Sequence, residues 1–245
     1  MRQIVGCFGR ALEAQGIIVM KLNLRFLSIR GVPTLFWSSP KALTITPPMK
    51  SVAFLIVGLT LFGLGEAILI VAAIGVSPWT VLAQGITHIM GWSIGFATLM
   101  TSLFVLICWL PLKQTPGIGT LLNILIIASV LDFLLPYIPR LESSFFNFMA
   151  AMFGVVLTGF GGAVYLISNL GPGPRDGLMT GLQRVTDFPI AWVRSAIELT
   201  AICIGWSLGG NLGIGTVLFA LGIGPSMAAS MYFLQSIFGK TKVGV

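Results

Sequence analysis

The side chains that could do chemistry are few, and most stand in apolar surroundings. Arg194 and Glu198 lie four residues apart in "VRSAIELT" (193–200), so on a helix they share a face and can pair. Glu198 falls nine residues into an apolar stretch, roughly 14 Å along a helix that rises ~1.5 Å per residue. Ionisable groups at such a depth in lipid are costly and mark substrate paths or relays. The pair reads either as a gate opened by an anionic or protonatable substrate, or as a salt bridge that holds the fold together. Arg175 and Asp176 are neighbours in "GPGPRDGL" (171–178) and should project in different directions on a helix. Arg175 suits an anion beside the free N–H groups of a helix start; Asp176 suits the same helix end without any ligand. Glu66 and Asp132 are expected near the outer ends of their apolar stretches, within reach of headgroup water. Asn123 is expected to hydrogen-bond across an internal interface. His88, the only histidine, reads as an interfacial anchor more than as a proton relay, although its titration range keeps the relay open.

No catalytic signature accompanies these groups. The sequence holds no HExxH, GxSxG or P-loop, and its three cysteines, Cys7, Cys108 and Cys203, have no metal-ligand spacing. The reading is a non-enzyme with no cofactor and no metal.

The elements that position these residues must sit in lipid. Hydrophobic residues make up 56% of the 245, charged residues only 9%, and mean hydropathy is +0.99, whereas soluble domains carry about a quarter charged residues. The net charge of +7 is concentrated at the ends. Arg2, Arg10, Lys21, Arg25, Arg30, Lys41 and Lys50 precede the apolar body, and Lys240 and Lys242 follow it. That pattern orients a membrane protein and does not form the basic, aromatic-interleaved face of a nucleic-acid binder. Six stretches, about 51–73, 94–112, 117–136, 145–168, 189–208 and 212–237, are long enough to cross a bilayer, which takes about 20 residues. With six spans and both termini cytoplasmic, Lys50, Lys113, Arg175 and Arg184 all fall inside and Arg140 outside. The expected localisation is a membrane, crossed several times, with both termini cytoplasmic.

Residues 1–48 form a basic extension of a different character. Their prolines and scattered charges leave little to pack, so they read as a loose or interfacial arm, or as sequence upstream of a start at Met49. Deleting them is expected to leave stability nearly unchanged. Residues 49–138 and 143–238 are read as two membrane repeats, and 239–245 as a cytoplasmic tail.

The two repeats align at an offset of 96 residues without a gap. "GLGEAILIVAAIGVSPW" (63–79) falls on "GFGGAVYLISNLGPGPR" (159–175), and "GIGT" (117–120) on "GIGT" (213–216). From Gly58 to Ser129, 19 of 72 positions are identical, and glycines and a proline are prominent among them. Three spans per repeat is an odd number, so the second copy should enter from the opposite face. The expected fold is all-α: six transmembrane helices as two inverted three-helix repeats, each with a short re-entrant or interfacial helix, over 75–91 and 171–187. Gly75 and Gly171 suit left-handed helix ends, Pro78 and Pro174 the first helical position, and Ser77 an N-cap. Gly63, Gly65, Gly159 and Gly161 suit close helix packing. Gly117, Gly119, Gly213 and Gly215, in the two "GIGT" starts, suit close packing or present N–H groups to a ligand.

"GLGEAILIVAAIGVSPW", "GPGPRDGLM", "VRSAIELT" and "GIGT", in this order, resemble the YczE branch of the YczE/YyaS/YitT family of bacterial multipass membrane proteins over roughly 50–238. The resemblance implies an integral inner-membrane protein and brings no settled activity. Relatives often have an acidic residue after the tryptophan of the first copy, where this chain has Pro78-Trp79-Thr80, so a function needing carboxylates in both copies is not expected. Inverted repeats with buried charges suit a small-molecule transporter or exporter. The alternative is a non-transporting membrane scaffold or accessory factor for a partner enzyme or secretion system, with a membrane or cytoplasmic protein as its partner. The lipid bilayer is a partner in either case.

Overall fold

The computed structural model describes residues 32–44, 46–139 and 142–239, and among them the regular structure is all helix. The helices are α1 (Met49–Ala72), α2 (Pro78–Met90), α3 (Ile94–Trp109), α4 (Ile118–Leu134), α5 (Ser144–Ile167), α6 (Pro174–Thr186), α7 (Ile190–Ser207) and α8 (Ile214–Phe238). The starts of α2, α3 and α4 recur 96 residues later as those of α6, α7 and α8. α1, α5 and α8 are long and apolar enough to cross a membrane, and α2 with α3, bent by 112° at their break, passes as a fourth segment. The other stretches read as spans from the sequence form shorter helices, with 17 residues in α4 and 18 in α7. Large apolar side chains such as Phe104, Ile107, Trp206 and Leu221 are more than half exposed on these helices, a surface suited to lipid and not to water. The chain is a multipass membrane protein.

Glycines dictate how the helices meet. A Cβ on Gly58 would strike the backbone of Gly161, one on Gly65 the backbone of Gly154, and the converse holds for Gly154 and Gly161. Pairing an early residue of α1 with a late one of α5, and the reverse, makes the two helices antiparallel. The contacts are also reciprocal, because 58 and 154, and 65 and 161, are equivalent positions. Gly63 against Val130 of α4 repeats as Gly159 against Ser226 of α8. Across the repeats, α2 packs on α7 and α6 on α3. The symmetry fails in one place. α3 packs on α4, but α7 has no comparable packing on α8.

The link after each long helix departs from the expected turn. The left-handed residues that follow α1 and α5 are Ala73 (φ 54°) and Asn169 (φ 53°), not the glycines. Gly75 (φ 116°) and Gly171 (φ 110°) adopt positive φ two residues later, where their backbones touch Gly213 and Gly117. A side chain at either place would meet both a strained conformation and an occupied space.

The expectation that residues before Met49 leave little to pack is corrected for residues 32–44. Trp37 is buried, stacks on Phe54 at 4.4 Å, and joins Ala163, Val164, Ile167 and Met231 in one apolar cluster. The segment also caps α5. Ser38 Oγ donates to the Ile167 carbonyl (2.6 Å), the Ser39 N–H donates to that of Ser168 (3.0 Å), and the Asn169 amide donates to the Ser39 carbonyl (2.8 Å). The last carbonyls of a helix lack intrahelical partners, and these bonds satisfy two of them. Trp37→Ala is therefore expected to cost about 3–5 kcal/mol, read as a lower melting temperature in detergent, and truncation to Met49 should cost at least as much. Unchanged melting of both variants would show that the strap carries no stability.

Candidate functional site

A cavity of about 120 Å³ lies between the repeats, room for several water molecules. Equivalent positions line it in pairs: Trp79 with Arg175, Asn123 with Phe219, and Ile127 with Ile223. The cavity therefore lies on the axis that relates the two copies. Its polar lining comes mainly from the second repeat, through Arg175, Asp176, Arg194 and Glu198, with Asn123 from the first. Phe62, Tyr165, Met179 and Met227 complete its wall.

Arg175 and Trp79 begin the two short helices, α6 and α2, directly after their N1 prolines. The Arg175 guanidinium lies over the Trp79 ring, 5.2 Å from its centroid, a cation–π contact between equivalent residues of the two copies. Among the described residues Arg175 has no ion-pair partner and donates no hydrogen bond. The Trp79 indole N–H is buried and also lacks an acceptor. Asp176, expected to point away from Arg175, lines the same cavity and accepts a short hydrogen bond from the Tyr165 hydroxyl. That bond fixes α6 to the end of α5. Trp109 anchors α6 from the other side, its indole N–H donating to the Pro174 carbonyl at 2.9 Å.

Arg194 and Glu198 pair at 2.8 Å with side chains 42% and 18% exposed. The pair is therefore only partly buried, and it lies on α7, which lacks comparable packing on α8. It lines the same cavity as Arg175, so the two candidate elements read from the sequence form one site.

The other candidates have different surroundings. Glu66, expected near headgroup water, is only 2% exposed. Its Oε2 is within hydrogen-bond distance of Ser77 Oγ, at 2.8 Å, and of Thr80 Oγ1, at 2.7 Å. Ser77 does precede α2, but its hydroxyl makes no cap bond and serves Glu66 instead. Asp132 lies outside the cavity and closes the start of α3, accepting from Ser93 Oγ at 2.7 Å and from the Gly95 N–H at 2.8 Å. Of the "GIGT" starts, the Gly119 N–H donates to the Leu170 carbonyl (2.7 Å) and the Gly215 N–H to that of Ile74 (2.8 Å). Gly117 and Gly213 lie in the same contacts, against Leu170 with Gly171 and against Ile74 with Gly75. These N–H groups satisfy the broken helix ends of the opposite repeat. Thr120 Oγ1 does the same for the Pro172 carbonyl at 2.7 Å. Arg184 donates to the Leu112 carbonyl after α3, and His88 packs near Gly209; neither lines the cavity. Among the described residues no cluster of His, Cys, Asp and Glu suits a metal ion.

Sequence reasoning missed Trp79, Tyr165, Ser77 and Thr80 as site residues. The alignment of Trp79 with Arg175 was available as a signal, since residues on a two-fold axis meet their own equivalents.

The model of a family of unknown function, DUF6198, matches residues 49–232. An uncharacterised protein of Haemophilus influenzae is 37% identical over 209 residues, 85% of this chain and 94% of that protein. The uncharacterised membrane protein YczE of Bacillus subtilis is 34% identical over 170 residues, 69% of this chain and 79% of its own. The uncharacterised protein YyaS of the same organism is 25% identical over 166 residues, 66% of this chain and 83% of its own. No solved structure matches. On this match, and on the glycine-paired helices and broken-helix starts that it spans, the chain belongs to the DUF6198 family of YczE- and YyaS-like proteins.

Proposed function

We propose that the protein is a small-molecule transporter or exporter of the inner membrane, built as six spans in two inverted repeats, with both termini cytoplasmic. The single observation that carries this reading is the cavity on the axis between the repeats, with Arg175, which has no ion-pair partner among the described residues, in its wall. Secondary transporters hold substrate at the repeat interface, near broken helices. The short helices fit re-entrant elements: each starts buried, at Pro78 and Pro174, and ends exposed, at Met90 and Thr186. Irregular backbone at membrane depth is tolerated only against protein or a water-lined cavity.

The substrate has an anionic group, received by Arg175, which has no acceptor among the described residues. The partly exposed Arg194–Glu198 pair acts as a gate beside α7 and α8, on the side that faces the cytoplasm in this topology. A rocking motion that packs α7 on α8, as α3 already packs on α4, would close that side. No step in this scheme uses a catalyst, a cofactor or a metal. A scaffold for a protein partner, the alternative function, would not need solvent-lined space between its repeats.

Cysteine labelling tests the proposal. In a background lacking Cys7, Cys108 and Cys203, a cysteine at Asn123 or Ile223 should react with impermeant reagents added from either face. Cysteines at Lys113 and Arg140 serve as markers and should react from opposite faces only. Cavity cysteines that react from one face alone, or not at all, would refute alternating access.

A further inference from the structure

The buried cluster beside the cavity has a hydrogen too few to be drawn with an ionised carboxylate. Glu66 Oε2, Ser77 Oγ and Thr80 Oγ1 form a triangle with sides of 2.8, 2.7 and 2.9 Å. Each side is a hydrogen-bond distance and needs one hydrogen. Serine and threonine hydroxyls supply one each, and an ionised carboxylate supplies none. A carboxylic acid supplies the third. The ring then closes with Glu66 donating to one hydroxyl, that hydroxyl to the other, and the second back to Oε2.

Burial points the same way. Glu66 is 2% exposed, pairs with no cation among the described residues, and leaves Oε1 buried without a donor. An ionised carboxylate so placed would be left with accepting sites unfilled and no solvent to fill them. Ser77 gives up its capping bond to α2 to complete the ring.

The surroundings also allow the proton to leave. The start of α2, at Pro78, Trp79 and Thr80, brings partial positive charge close to the carboxyl. Thr80 follows Trp79, on which Arg175 lies. Glu66 is among the acidic groups that act on Arg175, together with Asp176 and Glu198. From the elements packed on α1, Tyr165 of α5 is engaged by Asp176, and Asp132 of α4 is engaged at the start of α3. Arg175 is thus the cation that responds to Glu66. When Glu66 is neutral, Arg175 is left to an anion in the cavity; when Glu66 is ionised, it competes with that anion.

We propose that Glu66, Ser77 and Thr80 form a proton-binding site whose occupancy is linked to the charge at Arg175. Built on the transport reading, this makes the proton the ion coupled to an anionic substrate. The proton site itself rests on the triangle alone.

Infrared difference spectroscopy of the purified full-length protein tests the site without any substrate. At neutral pH the wild type minus Glu66→Gln spectrum should contain the carbonyl stretch of one protonated carboxylic acid, shifted in heavy water. Thr80→Val keeps the carboxyl but breaks the ring, and should move that band. At a pH where the wild-type band has half its amplitude, Arg175→Gln should restore it to near full amplitude, because the competing cation is gone. Absence of the acid band from the wild type, as for a Glu66 ionised to hold a sodium ion, overturns the proton site. A band unaffected by Arg175→Gln overturns the linkage. Both readouts are independent of transport, so their failure is distinct from failure of alternating access.

Discussion

Gly215→Val is expected to remove most folded protein, and Gly119→Val to do nearly as much. A Cβ on Gly215 would lie 2.3 Å from the Gly75 carbonyl oxygen, and one on Gly119 2.8 Å from that of Leu170. Those neighbours are backbone and cannot rotate away. They belong to the links after α1 and α5, whose carbonyls accept from these same glycines. Valine therefore forces the helix start off the broken helix of the other repeat, and a carbonyl at the centre of the molecule loses its donor. Overpacking of about 1–3 kcal/mol and an orphaned buried acceptor at about 1–3 kcal/mol together cost roughly 2–6 kcal/mol, comparable with the whole stability of many proteins. Gly224 is the internal control. No atom lies within 4 Å of its Cβ position, so Gly224→Ala should raise stability by about 0.5–1 kcal/mol through helix propensity. Size-exclusion profiles and melting temperatures of the three variants check the contrast. A monodisperse Gly215→Val protein that melts like the wild type would refute the contact.

These glycines show what a single sequence makes legible. Repeated glycines at an offset of 96 signal close approach of a neighbour or a positive φ, because either explains the removal of side chains at matching places. The recurring starts of the last three helices of each copy were readable for the same reason. Proline at N1 and "GIGT" are local chemistry, written within a few residues. Which partner each glycine touches was not readable, since Gly119 meets Leu170 and Gly215 meets Ile74 across the repeats. Arg194 with Glu198 was accessible because its geometry is helical and local, but its partial exposure was not. α7 also lacks the packing on α8 that α3 has on α4, a departure from symmetry that the repeat itself argues against. Glu66 stood out as an acid in an apolar run; its partners lie 11 and 14 residues away, beyond the end of its helix, where no helical period carries across. The strap of residues 32–44 was hidden by its two prolines and by its place in a basic extension, which signal disorder in bulk while one tryptophan supplies the anchor.

The largest functional effect is expected from Arg175→Ala, which should abolish binding of the anionic substrate and leave the fold almost intact. Arg175 makes no hydrogen bond or ion pair among the described residues, and its one contact of note is the Trp79 ring. Losing a cation–π contact costs about 0.5–2 kcal/mol. The anchors of α6 survive, since Asp176 still meets Tyr165 and Trp109 still meets the Pro174 carbonyl. Glu198→Gln behaves differently from a broken dry pair. With Arg194 already 42% exposed beside the cavity, the freed guanidinium is not sealed in, and stability should fall less than for a fully buried pair. Activity should still drop, because the gate loses the charge that holds it shut. Substrate binding should remain, because Arg175 is untouched. Melting temperature, ligand-induced thermal shift and uptake into vesicles separate the two variants. Arg175→Ala should lose the ligand shift and uptake together at near-normal melting, whereas Glu198→Gln should keep the shift and lose coupled uptake. A ligand shift that survives Arg175→Ala would remove the anion site from this cavity. A Glu198→Gln protein that melts far below the wild type would show that the pair holds the helices together and does not gate them.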